Sequence, residues 1–294
     1  MSEPIVVEVR RSGVVEAAHR IHAVAVRSGE ILAAAGDPSL TCFMRSCSKP
    51  LQALPLVRAR DDLPDDELAI ACASHRDTAE QVAAVRALLA RAEATEDDLE
   101  LGLQEDRPPQ KIHHNCSGKH AGMLALCRAR GWPTHGYHLP EHPVQRACHE
   151  VHAEAAEVEP EQAASDGCGV VTFALPLERM AHAYSRLETL PGGDRIAAAM
   201  RARPDLVGGP DGADFFLMRA APGWVAKGGA EGLLCAAGPD GVGVALKAED
   251  GAGRGHRPAL ANFLGRLGFD LPGLAEVPVL NSRGEHVGEI ATAR

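Results

Sequence analysis

Lysine is nearly absent from this chain: of its 30 basic residues only Lys49, Lys111, Lys119, Lys227 and Lys247 are lysine, and the other 25 are arginine. Where lysine persists, the position can need what a guanidinium cannot supply, a compact amine able to lose its proton. The plain alternative is that the five are residual surface lysines. Positive charge as a whole is also short. The formal net charge of −10 over 294 residues argues against nucleic acid or an anionic membrane as partner. No run of eighteen apolar residues occurs, so no membrane-spanning helix is expected. The start, Met1-Ser2-Glu3-Pro4, lacks a basic segment followed by an apolar one, so nothing points to export and a cytoplasmic protein is expected. Eight cysteines are present but no C-x-x-C pair, which fits reduced thiols better than a disulfide framework or a structural zinc site.

No internal repeat, low-complexity tract or linker divides the chain, and a single domain over 1–294 is expected. Strand signals open it, at Ile5 to Val9, Ile21 to Val26 and Glu30 to Ala35, the last two joined by a turn at Ser28-Gly29. Helical periodicity dominates the middle. Thr78 to Ala94 is amphipathic, Lys119 to Arg130 stops at Gly131, and His142 to Ala155 carries Pro143 in its first turn. Pro176 to Leu187 and His256 to Leu267 also read as helices. Strands return at Trp224 to Ala226, Leu233 to Ala237 and Val242 to Lys247, then at Val277 to Asn281 and His286 to Ile290. Strands at both ends with helices between predict an α+β fold: one antiparallel sheet closed by the two chain ends, with a helical insert.

Several segments could carry chemistry. Arg45-Ser46-Cys47-Ser48-Lys49-Pro50 contains S-x-x-K between a strand-like Leu40 to Met44 and a helical Leu51 to Val57. Pro50 suits a first helical turn. Ser46 then stands at a helix N-terminus with Lys49 one turn on, where a neutral amine can take the hydroxyl proton. Equally, either serine could be a cap and Lys49 a surface residue. Cys72-Ala73-Ser74-His75 ends an apolar run, so Ser74 is either exposed for catalysis or a cap for the helix near Thr78. Lys227-Gly228-Gly229 meets a strand with two glycines, which allows close approach of another group, or guards a strand edge with a charge. The densest polar cluster is His113-His114-Asn115-Cys116-Ser117-Gly118-Lys119-His120, which lacks the glycine and Ser/Thr positions of a phosphate loop. Asp166-Gly167-Cys168-Gly169 adds a carboxylate and a thiol in a tight turn. His138-Leu139-Pro140-Glu141-His142 matches H-x-x-E-H, but Pro140 interrupts the helix that a zinc protease needs there.

In their order and spacing these segments, with Tyr137-His138-Leu139-Pro140 and Lys227-Gly228-Gly229-Ala230, resemble the bacterial L-asparaginase II family of Rhizobium type. The likeness runs from Val6 to about Ile290. It implies a fold similar to serine β-lactamases and glutaminases, and L-asparagine as substrate, hydrolysed to L-aspartate and ammonia. It further implies two serine–lysine tandems, Ser46 with Lys49 and Ser74 with Lys227. Arg45, Asn115, Lys119 and Asp166 become candidates for gripping the substrate's α-carboxylate and α-amine. Family members can bind zinc near the site through residues matching Cys116, Lys119 and Asp166, without the chemistry requiring a cofactor. Some carry a second cysteine where this chain aligns Asp214, and a carboxylate there would harden the site and weaken its preference for zinc. A homodimer is the expected assembly. Glutaminase activity, or another serine hydrolase of the S-x-x-K type, is the alternative; no signal peptide or S-D-N motif supports a penicillin-interacting enzyme. A non-catalytic binding protein on the same scaffold could dispense with the lysines, and all three are present.

Overall fold

The computed structural model describes residues 2–293. Alternation of apolar and polar residues builds the first strand, β1 (Ile5–Arg11): Ile5, Val7 and Val9 are buried, while Glu8, Arg10 and Arg11 point away from the core. β1 pairs on one side with β2 (Val14–Arg27) and on the other with the last strand of the chain, β11 (His286–Thr292). The full sheet runs β10 (Glu276–Leu280), β11, β1, β2, β9 (Val242–Ala248), β8 (Leu233–Gly238), β7 (Val225–Gly229), and β3 (Glu30–Ala35) also pairs with β2. Every pairing in it is antiparallel. The expected sheet closed by both chain ends is present.

Both faces of its centre are covered, which is why β8 and β9 read as nearly continuous apolar runs. On one face, α6 (Leu177–Ser185) lies so close that a Cβ at Gly243 would stand 1.9 Å from the Ala181 carbonyl oxygen. On the other, α10 (His256–Gly265) begins over Ile21 and Val7. The helical insert supplies α1 (Lys49–Ala59), α2 (Asp65–Ala71), α3 (Ala79–Arg91), α4 (Ser117–Arg130), α5 (Pro143–Ala156), α7 (Gly193–Ala202), α8 (Pro204–Val207) and α9 (Ala213–Ala220). Thr78 and Gln81 form the capping box that starts α3, and Gly131 ends α4 in the left-handed conformation, φ +65°.

A second, three-stranded sheet was not foreseen: β4 (Thr41–Phe43), β6 (Val171–Pro176) and β5 (Gln162–Ser165), all antiparallel. Its outer strand β5 is exposed along its whole length and carries no alternating pattern. This small sheet matters because both its turns reach the functional site. No helix among the described residues is long and apolar enough to cross a membrane.

Candidate active site

Where β4 ends, the chain makes a tight turn over Arg45–Ser48 before α1 begins. Arg45 adopts φ +47°, a left-handed conformation that costs energy for a residue with a Cβ. Two bonds to β6 hold it there: Met44 N–H donates to the Phe173 carbonyl at 2.9 Å and Arg45 N–H to Thr172 Oγ1 at 3.1 Å. Pro50 falls in the first turn of α1, as expected. The strained turn presents Ser46 to a cavity, whereas Ser48 is fully buried with its hydroxyl unpartnered. β7 crosses directly above: a Cβ on Gly229 would be 3.0 Å from Cys47 Sγ and 3.2 Å from the Met44 oxygen. Glycine is what permits that approach. The Cys47 thiol meets the Lys227 carbonyl at 3.0 Å and pins the strand to the turn.

Lys49, Lys119 and Lys227 are all buried, while Lys111 and Lys247 are partly exposed. The three lysines singled out by motif are therefore the three that are not surface charges. Lys49 Nζ donates to the Ala73 carbonyl and to Ser74 Oγ, the latter at 2.9 Å. Ser74 stands at the end of α2, in a loop tied down by Ser74 N–H to the Val207 carbonyl (2.8 Å) and His75 N–H to the Asn115 carbonyl (3.2 Å). Burial lowers the Lys49 pKa to about 8, with the Lys227 and Lys119 charges adding to the shift and Cys116 opposing it.

The hydrogen bonds present join these groups in a different pairing from the expected one. Lys49 is hydrogen-bonded to Ser74, and among the described residues no hydrogen bond joins it to Ser46, or Lys227 to Ser74. The cause is reach. Only the backbone of Lys49 turns back onto Ser46, through its N–H to the Ser46 carbonyl, while its long side chain extends to acceptors on the neighbouring loop. Lys227 Nζ instead donates to the Gly228 carbonyl at 2.7 Å and lies 3.7 Å from Asp214 Oδ2.

Asp214 differs from expectation as well. It sits beside Lys227, accepting from Gly228 N–H at 2.9 Å and from Phe215 N–H at 2.9 Å, and is no neighbour of Cys116 in any bond observed. The thiol that does face Cys116 is Cys168, which the sequence reading placed in its tight turn but not in the metal set. A Cys168 hydrogen bond, helped by the Lys49 and Lys119 charges, pulls the Cys116 pKa well below the usual thiol range despite burial. Burial works against the charge on Lys119, yet Cys168, Cys116 and Asp166 outweigh it and hold its amine above the usual lysine range. Lys119 Nζ is 3.0 Å from Cys168 Sγ and 3.8 Å from Asp166 Oδ2, and Asp166 Oδ1 accepts from Arg45 Nε at 2.6 Å. Among the described residues no group of three or more His, Cys, Asp or Glu is disposed to hold a metal ion. In this arrangement the Lys119 ammonium faces the Cys116 thiolate as a cation would, while the Cys116 hydrogen bond and burial keep the Cys168 thiol protonated. A metal would need that amine to give up its proton and Asp166 to leave Arg45, so the set as arranged does not fit one.

The cavity itself has a volume of about 420 Å³, ample for a small amino acid. Ser46, Ser74, Asn115, Asp214, Lys227 and the Gly228–Ala230 backbone line it, together with Arg76, Arg107 and Arg254. Arg45, Lys119, Cys116 and Asp166 are not on its wall; they form the ion cluster behind it. The arginines at 76, 107 and 254 were missed because no motif marks them. A larger hollow of about 560 Å³ lies near Tyr184 and Gly241, but its Arg201 and Glu188 satisfy each other at 2.6 and 3.0 Å and none of the candidate residues reaches it. His138 and His142 serve separate partners, Glu100 at 2.7 Å and the Pro133 carbonyl at 3.0 Å.

A sheet closed by both chain ends, with a helical insert carrying a buried lysine and two serines, defines a fold class shared with known structures. The structure of Mglu in its native form superposes with a TM-score of 0.50 at 14% identity, covering 86% of this chain and 66% of Mglu, so this chain spans about two thirds of that protein. β-Lactamase structures from Mycobacterium bovis (TM-score 0.36, 14% identity, 79% of this chain and 88% of that one) and Desulfarculus baarsii (0.33, 16%, 84% and 92%) are more distant. No curated protein matches the sequence. The L-asparaginase II family model matches residues 7–292, and the chain belongs to that family.

Proposed function

We propose that the protein hydrolyses the side-chain amide of L-asparagine to L-aspartate and ammonia, through an ester on Ser46. The observation that carries this is Lys49: a buried amine with its pKa lowered to about 8, hydrogen-bonded to Ser74 and three residues on from Ser46, whose carbonyl accepts its backbone N–H. Ser46 Oγ attacks the amide carbon while Lys49 accepts its proton. The N–H groups of Ser46 and Ala230, both on the cavity wall, are the donors for the oxyanion. As the C–N bond breaks, Ser74 passes a proton to the departing nitrogen and recovers one from Lys49. Water then cleaves the ester by the reverse sequence. Nucleophile, base and proton donor all come from the chain's own side chains. The Lys227–Asp214 pair holds the cavity wall opposite and places positive charge beside Ser74's loop.

The Lys49–Ser74 bond favours one rival in the same site, Ser74 as nucleophile. Ammonia release from L-asparagine and L-glutamine and ring opening of a chromogenic β-lactam, combined with peptide mass mapping of acid-quenched enzyme, test both points. We expect L-asparagine to be fastest, the ester on the peptide containing Ser46, and Ser46→Ala to be folded but inert. An ester on Ser74 would move the nucleophile. Equal rates on asparagine and glutamine would reduce the reading to a general ω-amidase, because one methylene is worth only about 1–3 kcal/mol of discrimination.

A further inference from the structure

The cavity wall holds one cation with a buried N–H that has no answer among the described residues. Arg107 makes no side-chain hydrogen bond or ion pair among the described residues, and its Nη1 is shielded from water without a partner. A guanidinium N–H withdrawn from water and left without an acceptor is costly, so its persistence calls for a ligand. Three other cations of the region are committed. Arg45 is bound to Asp166, Arg254 Nε donates to His19 Nε2 at 2.8 Å, and Lys227 faces Gly228 and Asp214. Arg76 has no side-chain partner among the described residues either, but it is exposed and open to solvent. The loop bearing Arg107 is held against the site: Arg107 N–H donates to the Gln104 carbonyl at 3.1 Å, and Gln104 Oε1 accepts from Asn115 N–H at 3.1 Å. His75, packed within the electrostatic reach of Arg107, does not compete as an acceptor, since its Nε2 is engaged with Ser117 at 2.8 Å and its Nδ1 accepts from Asp77 N–H.

We infer that Arg107 is the binding residue for the α-carboxylate of the substrate, taking it through a forked pair of N–H donors. The inference rests on the asparaginase reading and adds the group that selects an amino acid over a simple amide. It also replaces Arg45, whose Nε is bound to Asp166 and which is not on the cavity wall, in that role. A carboxylate offers the planar, two-oxygen acceptor that a guanidinium fork matches.

The test compares L-asparagine with β-alaninamide, which is asparagine without its α-carboxylate and can release ammonia only from the same amide. Wild-type enzyme should prefer L-asparagine strongly in kcat/KM. In Arg107→Gln the value for L-asparagine should fall by about 10- to 100-fold, chiefly through KM, while that for β-alaninamide stays unchanged. Arg107→Lys should recover part of the loss. Equal losses on both substrates would make Arg107 a structural residue, and no loss on either would remove it from the site; each overturns the inference. Calorimetric binding of L-aspartate to the inactive Ser46→Ala protein, with and without Arg107→Gln, gives a readout independent of turnover. Wild-type protein silent on L-asparagine yet losing L-aspartate affinity with Arg107→Gln would sink the proposed activity and leave the binding role standing.

Discussion

An amine enclosed as Lys49 is gives up part of its affinity for protons, because water no longer solvates the charge, and Lys227 and Lys119 nearby add repulsion. With a pKa of about 8, only about a tenth of it is neutral at pH 7, and the neutral form is the one able to act as base. We therefore expect kcat/KM for L-asparagine to rise with pH through about 8 and then level, as the fraction of neutral amine grows. Lys49→Arg should be inert across the range, since guanidinium does not deprotonate. A profile that falls between pH 7 and 9 would remove Lys49 as the base. This residue was legible in the sequence through scarcity, not through S-x-x-K alone. In a chain that uses arginine almost everywhere, three of five lysines fall in motifs, and those three are the buried ones. Its partner was not legible. Sequence spacing pairs Lys49 with Ser46, whereas a side chain of that length finds acceptors on a loop 24 and 25 residues away.

At the scale of elements, two glycines set how closely the parts of the site approach. Gly229 lets β7 lie over the Arg45–Ser48 turn, and Gly118 lets α4 begin against the end of α2, where a Cβ would be 2.1 Å from the Ile70 carbonyl oxygen. Their substitutions should differ in kind. Gly118→Ala meets the Ile70 backbone head-on and should cost about 1–3 kcal/mol in denaturant unfolding. Gly229→Ala meets the Cys47 sulfur and the Met44 oxygen, both able to shift slightly, so the fold should survive. The turn bearing Ser46 moves instead, and activity should fall on the order of 10²-fold at nearly unchanged melting temperature. If Gly229→Ala melts early and keeps its specific activity, the contact is structural only. Helices and strands with clear periodicity could be read to within a few residues, as α3, α4 and α5 show. What escaped were elements whose form is imposed by neighbours. β5 is exposed and lacks alternation, and α9, whose Asp214 turned out to brace Lys227 and the Gly228 N–H, has only eight residues. Cys168 was visible in sequence, but its place opposite Cys116 depends on the turn between β5 and β6.

At the scale of the whole molecule, the seam between the chain ends carries the sheet. β11 pairs with β1 from Val7↔Thr292 to Arg11↔Gly288 and is also the partner of β10. Removing residues 286–294 should leave β1 with an open edge and β10 with none to pair with. Loss of cooperativity in thermal unfolding and concentration-dependent light scattering are the expected signs. A truncated protein that stays monomeric with an unchanged melting curve would show the seam to be dispensable. The same seam imposes an order in time. β1 is synthesised about 280 residues before its second partner, β11. At typical synthesis rates the wait is on the order of 15–60 s, during which β1 can form a hairpin with β2 but keeps its other side bare. The outward charges Glu8, Arg10 and Arg11 are suited to that interval, discouraging stray strands from joining. Synthesis of β11 then becomes the event that completes the sheet, so a nascent polypeptide that has not yet reached residue 286 would hold every candidate catalytic side chain and still lack the strand that closes it.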